Sequence, residues 1–173
     1  MSLLLASLDR ICRAGAALAA LALAGLFLLG MSEIVARNLL GAGIGVSVEY
    51  SGYGVALVLL LGAGEAVRTH THVRVSLLRD AVGARAGQAV DIAATLLGLA
   101  VALFWMVAMI DYAATTGRAG VLSYFPSQTP LVVPQALLAL GPVTLVAGLL
   151  ARLIRLSQAA GMPPKDTEQA PPR

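Results

Sequence analysis

Four stretches of this chain carry no Asp, Glu, Lys or Arg: Ala14 to Ser32, Tyr50 to Gly64, Ile92 to Ile110 and Ala119 to Ala151. A nineteen-residue run such as AGAALAALALAGLFLLGMS makes about 28 Å of helix, close to the ~30 Å hydrocarbon core of a bilayer. The chain is 58% hydrophobic and 12% charged, with mean hydropathy +0.85, whereas a soluble surface needs roughly a quarter of its residues charged. These runs therefore predict an all-α integral membrane protein with four transmembrane helices, at approximately 14–35, 49–67, 90–113 and 134–156. Together they make a membrane domain over residues 1–158. The Pro-rich polar remainder, 159–173, is expected to be a disordered cytoplasmic tail.

The runs differ in clarity. Asp91 and Asp111 bracket the third, which has the best defined limits. Tyr50 to Gly64 is only fifteen residues, about 22 Å of helix, so a charge must enter the membrane boundary. Glu65 is the candidate, with Arg68 three positions on, where a helix brings the two side chains together. In the last run Pro126, Pro130, Pro134 and Pro142 exclude one continuous helix. Pro134 reads as a helix start, Pro142 as a kink, and YFPSQTPLVVP as an irregular or interfacial segment ahead of the fourth helix. A cleaved signal peptide is the rival reading of the first run, which Arg10 and Arg13 precede. The run exceeds the roughly 7 to 15 apolar residues of such signals and no polar cleavage region follows, so we expect it to be retained.

Orientation follows from eleven Arg and one Lys. With the N-terminus cytoplasmic, ten of the twelve fall inside and only Arg37 and Arg118 outside, so both termini are expected in the cytoplasm. Aromatic residues including Tyr50, Tyr53, Tyr124 and Phe125 then gather toward the outer ends of the spans, as an interfacial belt or a docking surface for an extracytoplasmic partner. Basic residues scattered at span ends, with no basic face interleaved with aromatics, argue against nucleic acid.

Catalytic and cofactor chemistry finds few residues to use. The single Cys12 and two histidines supply too few ligands for a zinc, haem or iron–sulfur centre, and no Gly-rich loop ending in Gly-Lys-Ser/Thr exists to cradle nucleotide phosphates. His70 and His72, in EAVRTHTHVRVSLL, share a face only on an extended segment, and Arg68, Arg74 and Arg79 around them repel a cation. We expect no catalytic, cofactor or metal residue and no enzyme activity. Alternation of Val73, Val75 and Leu77 against His72, Arg74 and Ser76 suits a segment lying on the membrane surface among lipid headgroups. Periodicity alone does not separate that from an ordinary positive-inside loop.

Mid-span positions are as bare as the loops. A protein that binds an ion or acid at mid-membrane normally places ionisable groups and broken helices there. Here the first three span centres are Ala, Leu, Val and Gly, with Thr95 the chief polar exception. Ala16, Ala20 and Ala24 instead form a smooth face for close helix packing, within the four-helix unit or against a partner. Arg37 and Glu49 at the outer boundary, and Glu65, Arg68, His72 and Arg74 at the inner one, are the candidate membrane-boundary or partner-interface residues.

The order LDR, SEIVARNLLG, VEYSGYGVALVLLLGAGEAVRTHTHVRVSLL and SQTPLVVPQALLALGPV, from about Leu8 to Leu156, resembles the small membrane subunit, DctQ-type, of tripartite ATP-independent periplasmic (TRAP) transporters. That family typically shows a Gly-Ala-rich span end, an Arg and then His-Ile-x-Val-Asp, matched here by Gly62, Ala63, Arg68, His72, Val73 and Val75. Ser76 stands where an Asp is usual, Asn38 follows Arg37 where a Tyr is usual, and Glu49 alone remains of a frequent acidic pair. The resemblance implies four spans without a transport pathway of their own. It further implies a large TRAP permease subunit that carries the substrate and sodium sites, a periplasmic solute-binding protein that delivers an organic acid, and a location in the bacterial inner membrane. Residue chemistry leaves two other classes to test, a self-contained homo-oligomeric transporter and a membrane redox or enzyme subunit.

Overall fold

The computed structural model describes residues 2–69 and 84–160. His70, His72 and Arg74, with the question of a surface segment there, lie outside the described residues, as does the tail from 161 to 173. Among the described residues five α-helices follow in order: α1 Ser2–Leu40, α2 Ser47–Arg68, α3 Ala84–Ala119, α4 Val132–Leu138 and α5 Leu140–Ala160. Among the described residues four helical stretches are long and apolar enough to cross a membrane, α4 and α5 counting as one from Val132 to Gln158.

Each helix outruns the span expected from charge, because helical hydrogen bonding continues past the hydrocarbon edge while charged residues mark that edge. Arg13 to Glu33, Glu49 to Arg68 and Asp91 to Asp111 are each nineteen or twenty residues apart, about 28–30 Å of helix, which matches the hydrocarbon thickness. The charges therefore define two planes, one through Arg13, Arg68, Asp91 and Arg152, the other through Glu33, Glu49 and Asp111.

Helix ends follow local chemistry. After Ala119, Gly120 takes a left-handed φ of 61°, its N–H reaches the Gly117 carbonyl and the Val121 N–H the Thr116 carbonyl, which closes α3 with a Schellman cap. Gly41, φ 69°, follows α1 in the same conformation. Between α3 and α4 the chain makes a tight excursion: Ser123 N donates to Thr129 O (2.9 Å), Leu131 N to Val121 O (3.1 Å), and Gln128 turns the corner at φ 45°. Pro134 sits in the first turn of α4, where its missing N–H costs nothing. The anticipated kink at Pro142 takes the form of a break at Ala139, three residues earlier. Pro142 has no N–H to offer the Leu138 carbonyl and its ring crowds that oxygen, so α4 stops there and Pro142 falls in the first turn of α5.

At the centre, α1, α2 and α5 cross with almost no side-chain padding. A Cβ on Gly148 would lie 2.6 Å from the Gly64 carbonyl oxygen, one on Gly64 would strike the Thr144 carbonyl, and one on Gly15 would lie 2.6 Å from Thr144 Cγ2. Backbones approach this closely only where glycine removes the side chain. The stripe of α1 that faces inward is Leu8, Cys12, Gly15, Ala19, Ala22 and Leu26, spaced four and three apart. Ala20 and Ala24 are exposed, so the Ala16/Ala20/Ala24 face is not the packing face within the unit. Cys12, fully buried, packs with Leu8, Ala147 and Ala151, its thiol 3.7 Å from the Thr144 carbonyl. Helix α3 leans on α4 and α5 and leaves Leu97, Val101, Phe104 and Val107 exposed.

Candidate functional site

Polar chemistry collects at the two planes. At one end, Glu65 and Arg68 of α2 form a two-point pair, Arg68 Nε to Glu65 Oε2 at 2.6 Å and Arg68 Nη2 to Glu65 Oε1, as their three-residue separation on a helix requires. Two further ion pairs tie α5 to its neighbours: Arg155 Nη2 to Asp9 Oδ1 of α1 at 2.6 Å, and Arg152 Nη2 to Asp91 Oδ1 of α3 at 3.3 Å. Gln88 Nε2 also donates to the Leu156 carbonyl at 3.2 Å. All four side chains of the two interhelical pairs are partly buried, so α5 is latched on both sides where it leaves the apolar layer.

At the other end the carboxylates organise the backbone. Glu33 accepts from Arg37 Nε (2.6 Å) through one oxygen and from the Ile44 N–H (2.7 Å) through the other, which pins the α1–α2 connection onto α1. Arg37 remains two-thirds exposed. Glu49 lies in the first turn of α2 and is only 3% exposed. Tyr53 Oη, one turn on, donates to Glu49 Oε1 (2.9 Å), and Ser127 Oγ of the α3–α4 excursion donates to Oε2. Thr129 Oγ1 donates to Ser127 Oγ (3.0 Å) and shares a hydrogen bond with Tyr50 Oη (3.1 Å). The rings of Tyr50 and Tyr53 meet edge to face, 6.1 Å apart. A buried carboxylate demands such donors, and the turn between Ser123 and Thr129 is shaped to bring them.

Of the residues singled out in the sequence, Glu65 and Arg68 meet each other, whereas Arg37 and Glu49 go to different partners. Missed were Glu33, Ser127, Thr129, Asp9 with Arg155, and Asp91 with Arg152. The Glu33–Arg37 pair is a four-residue step that helical spacing does signal, whereas the interhelical pairs join residues up to 146 positions apart, which no periodicity reports. Thr95, the polar residue noted in the third span, lies one turn inside the Asp91 plane and turns its hydroxyl back to the Asp91 carbonyl at 2.6 Å. Thr144, also buried, donates to Gly141 O at 2.8 Å and approaches Leu61 O at 3.3 Å. Among the described residues no cluster of three or more His, Cys, Asp or Glu side chains is placed to hold a metal ion.

Four membrane-length helices, ion pairs gathered near two planes and a largely apolar middle define, among the described residues, a polytopic membrane protein. The profile of the Tripartite ATP-independent periplasmic transporters, DctQ component, matches residues 26–159, more than three quarters of the chain. This chain belongs to that family, the small component of TRAP transporters. Comparison with curated proteins returns no match.

Proposed function

We propose that the chain is the stationary small permease subunit of a TRAP-type secondary transporter. It braces a large membrane subunit that carries an organic acid inward, driven by an ion gradient, with sodium as the coupling ion. A periplasmic binding protein delivers the acid. The chain sits in the bacterial inner membrane with both termini in the cytoplasm, which the ten-to-two distribution of Lys and Arg supports. In that orientation the Glu49 knot is periplasmic and the Asp9–Arg155 and Asp91–Arg152 latches are cytoplasmic.

The observation that carries this reading is the family membership joined to the placement of charge. A subunit that bound sodium or a carboxylate at mid-membrane would hold ionisable or strongly polar groups there. The four uncharged runs hold no Asp, Glu, Lys or Arg, and the hydroxyls of Thr95 and Thr144 satisfy carbonyls of the bundle. Such a chain suits a wall against which another domain moves, and the broad exposed apolar faces of α1 and α3 offer area for contact with lipid and with the large subunit.

Reconstitution tests the proposal. The chain alone in liposomes is expected to accumulate no solute, whereas addition of the large subunit and the binding protein restores sodium-dependent uptake of an organic acid. Concentrative uptake by the chain alone would replace the proposal with a self-contained transporter.

A further inference from the structure

At the plane through Arg13, Arg68, Asp91 and Arg152 the charges do not balance. Arg10, Arg13, Arg68, Arg152 and Arg155 stand at or just beyond it, against the carboxylates of Asp9, Glu65 and Asp91. Each carboxylate already holds an arginine: Glu65 has Arg68, Asp9 has Arg155 and Asp91 has Arg152. Arg10 and Arg13 of α1 are left over. Both are exposed, and neither makes a hydrogen bond or ion pair with another described residue. Asp9 precedes Arg10 in the chain but is turned inward to α5, and Glu65, whose charge Arg13 senses from the side, gives both its oxygens to Arg68.

Their depth decides what they meet. Three residues of helix separate the two by about 4.5 Å along the axis and about 60° around it, so they leave α1 side by side. Arg13 stands at the hydrocarbon edge and Arg10 that much farther out. A whole bilayer of ~40–45 Å around a core of ~30 Å leaves a headgroup layer about 5–7 Å deep on each side, and the long stem of Arg13 carries its guanidinium outward into the same layer as Arg10. The anionic oxygens of that layer are phosphodiesters, which a guanidinium binds through two parallel N–H bonds. The opposite plane offers no counterpart among the described residues: Arg37 is paired with Glu33, and the exposed Asp111 and Arg118 of α3 cancel in net charge.

We propose that Arg10 and Arg13 form a headgroup site for an anionic phospholipid in the leaflet at the Arg13 end. That leaflet is cytoplasmic in the orientation given above, and only its name rests on that orientation. A zwitterionic headgroup carries an ammonium beside its phosphate, which two neighbouring guanidiniums repel, whereas phosphatidylglycerol brings a phosphate whose charge nothing compensates. The site therefore selects lipid by charge, and the three latched arginines beside it, already neutralised, take no part.

Native mass spectrometry tests this on the full-length chain, released from micelles supplied with equal amounts of phosphatidylglycerol and phosphatidylcholine. The unaltered chain is expected to retain phosphatidylglycerol several-fold over phosphatidylcholine. The double variant Arg10→Gln/Arg13→Gln should lose that preference, about five-fold for each arginine removed. Because neither arginine holds a carboxylate, its thermal melt should match that of the unaltered chain. Arg37→Gln/Arg118→Gln removes the same two charges from the other end and should keep the preference. Equal retention of the two lipids by the unaltered chain means boundary lipid only and overturns the proposal whatever the variants do. It is overturned as well if the preference survives in Arg10→Gln/Arg13→Gln, or if the charge-matched variant loses it equally, which would make net charge the cause. Displacement of the lipid by inorganic phosphate would assign the pair to a free anion, and loss of the preference once the large subunit is bound would assign it to that protein; either result overturns it too.

Discussion

Replacing Gly148 by alanine places a methyl group where α5 meets the backbone of α2. The new Cβ would lie 2.6 Å from the Gly64 carbonyl oxygen and 3.2 Å from both Gly64 C and Cα, whereas ordinary contact begins near 3.4 Å. Relief requires α2 and α5 to separate by about 0.8 Å, and a gap of that size forfeits roughly a quarter to a half of each dispersion contact across the crossing. Overpacking of this kind costs about 1–3 kcal/mol, and three backbone atoms, which cannot swing aside, put Gly148→Ala at the upper end. Alanine returns up to about 1 kcal/mol of helix propensity. The net expectation is a loss of about 2 kcal/mol, or roughly 4–8 °C in Tm for a chain of this size. Gly30→Ala is the control, since its Cβ meets nothing within 4 Å and only the propensity gain remains, so its Tm should hold or rise. Thermal unfolding of both variants in the same detergent, followed by circular dichroism, decides the matter. A Gly148→Ala protein as stable as Gly30→Ala would refute the claim that backbone contact holds this bundle.

Thr144→Val keeps the shape at the same crossing and removes the hydroxyl. Because that hydroxyl's best acceptor, Gly141 O, lies on its own helix, the loss should stay near the ~0.6 kcal/mol typical of such bonds between membrane helices, measured by the same melt. Arg155→Gln leaves Asp9 without its guanidinium, and a double-mutant cycle with Asp9→Asn should return a coupling of about 1 kcal/mol, as partly exposed pairs do; zero coupling would make the latch ornamental. Glu49→Ala removes the acceptor of both Tyr53 and Ser127. Hydrogen exchange should then quicken at the Ser123 and Leu131 amides while the Leu61–Arg68 segment stays protected, and uniform exchange across α2 would contradict a local tether. Arg37→Ala should lower recovery of the large subunit in co-purification if the exposed guanidinium bridges to it, and unchanged recovery would leave Arg37 an anchor at the membrane boundary.

What the sequence made legible was mostly spacing along one helix, although the four-residue Glu33–Arg37 step on α1 is of the same kind and was not singled out. The four spans follow from charge-free length, and the Glu65–Arg68 contact follows from a three-residue step. Helix ends were less legible, since the charges at Arg13, Glu33, Asp91 and Asp111 track the membrane edge while α1 and α3 continue beyond it. Small residues marked α1 as a packing helix, but not which of its stripes faces the unit. Ala16, Ala20 and Ala24 repeat every four residues, but Cys12, Gly15 and Ala19 pack within the unit, because their neighbours there (Ala147 and Ala151, Thr144, and Gly62) lie on other segments and only the fold aligns them.

The same distinction bears on the proposed role as a stationary wall. A moving element needs two arrangements of similar energy, which side chains that repack or charges that exchange partners can supply. Here the α1–α2–α5 crossing rests on glycine backbone contacts, which admit almost no sliding before Gly64 meets Thr144 or Gly148 meets Gly64. At one end α5 is held to α1 by Asp9–Arg155 and to α3 by Asp91–Arg152, while Glu49 clamps the start of α2 to the α3–α4 turn. Sliding α5 by one turn would break both latches and drive Gly148 out from under Gly64, with no second glycine in register on α2 to receive it except Gly62, which turns toward Ala19 of α1. The compliant surfaces are therefore the outward faces of α1 and α3, where motion of a partner disturbs lipid and side chains and leaves this frame unchanged.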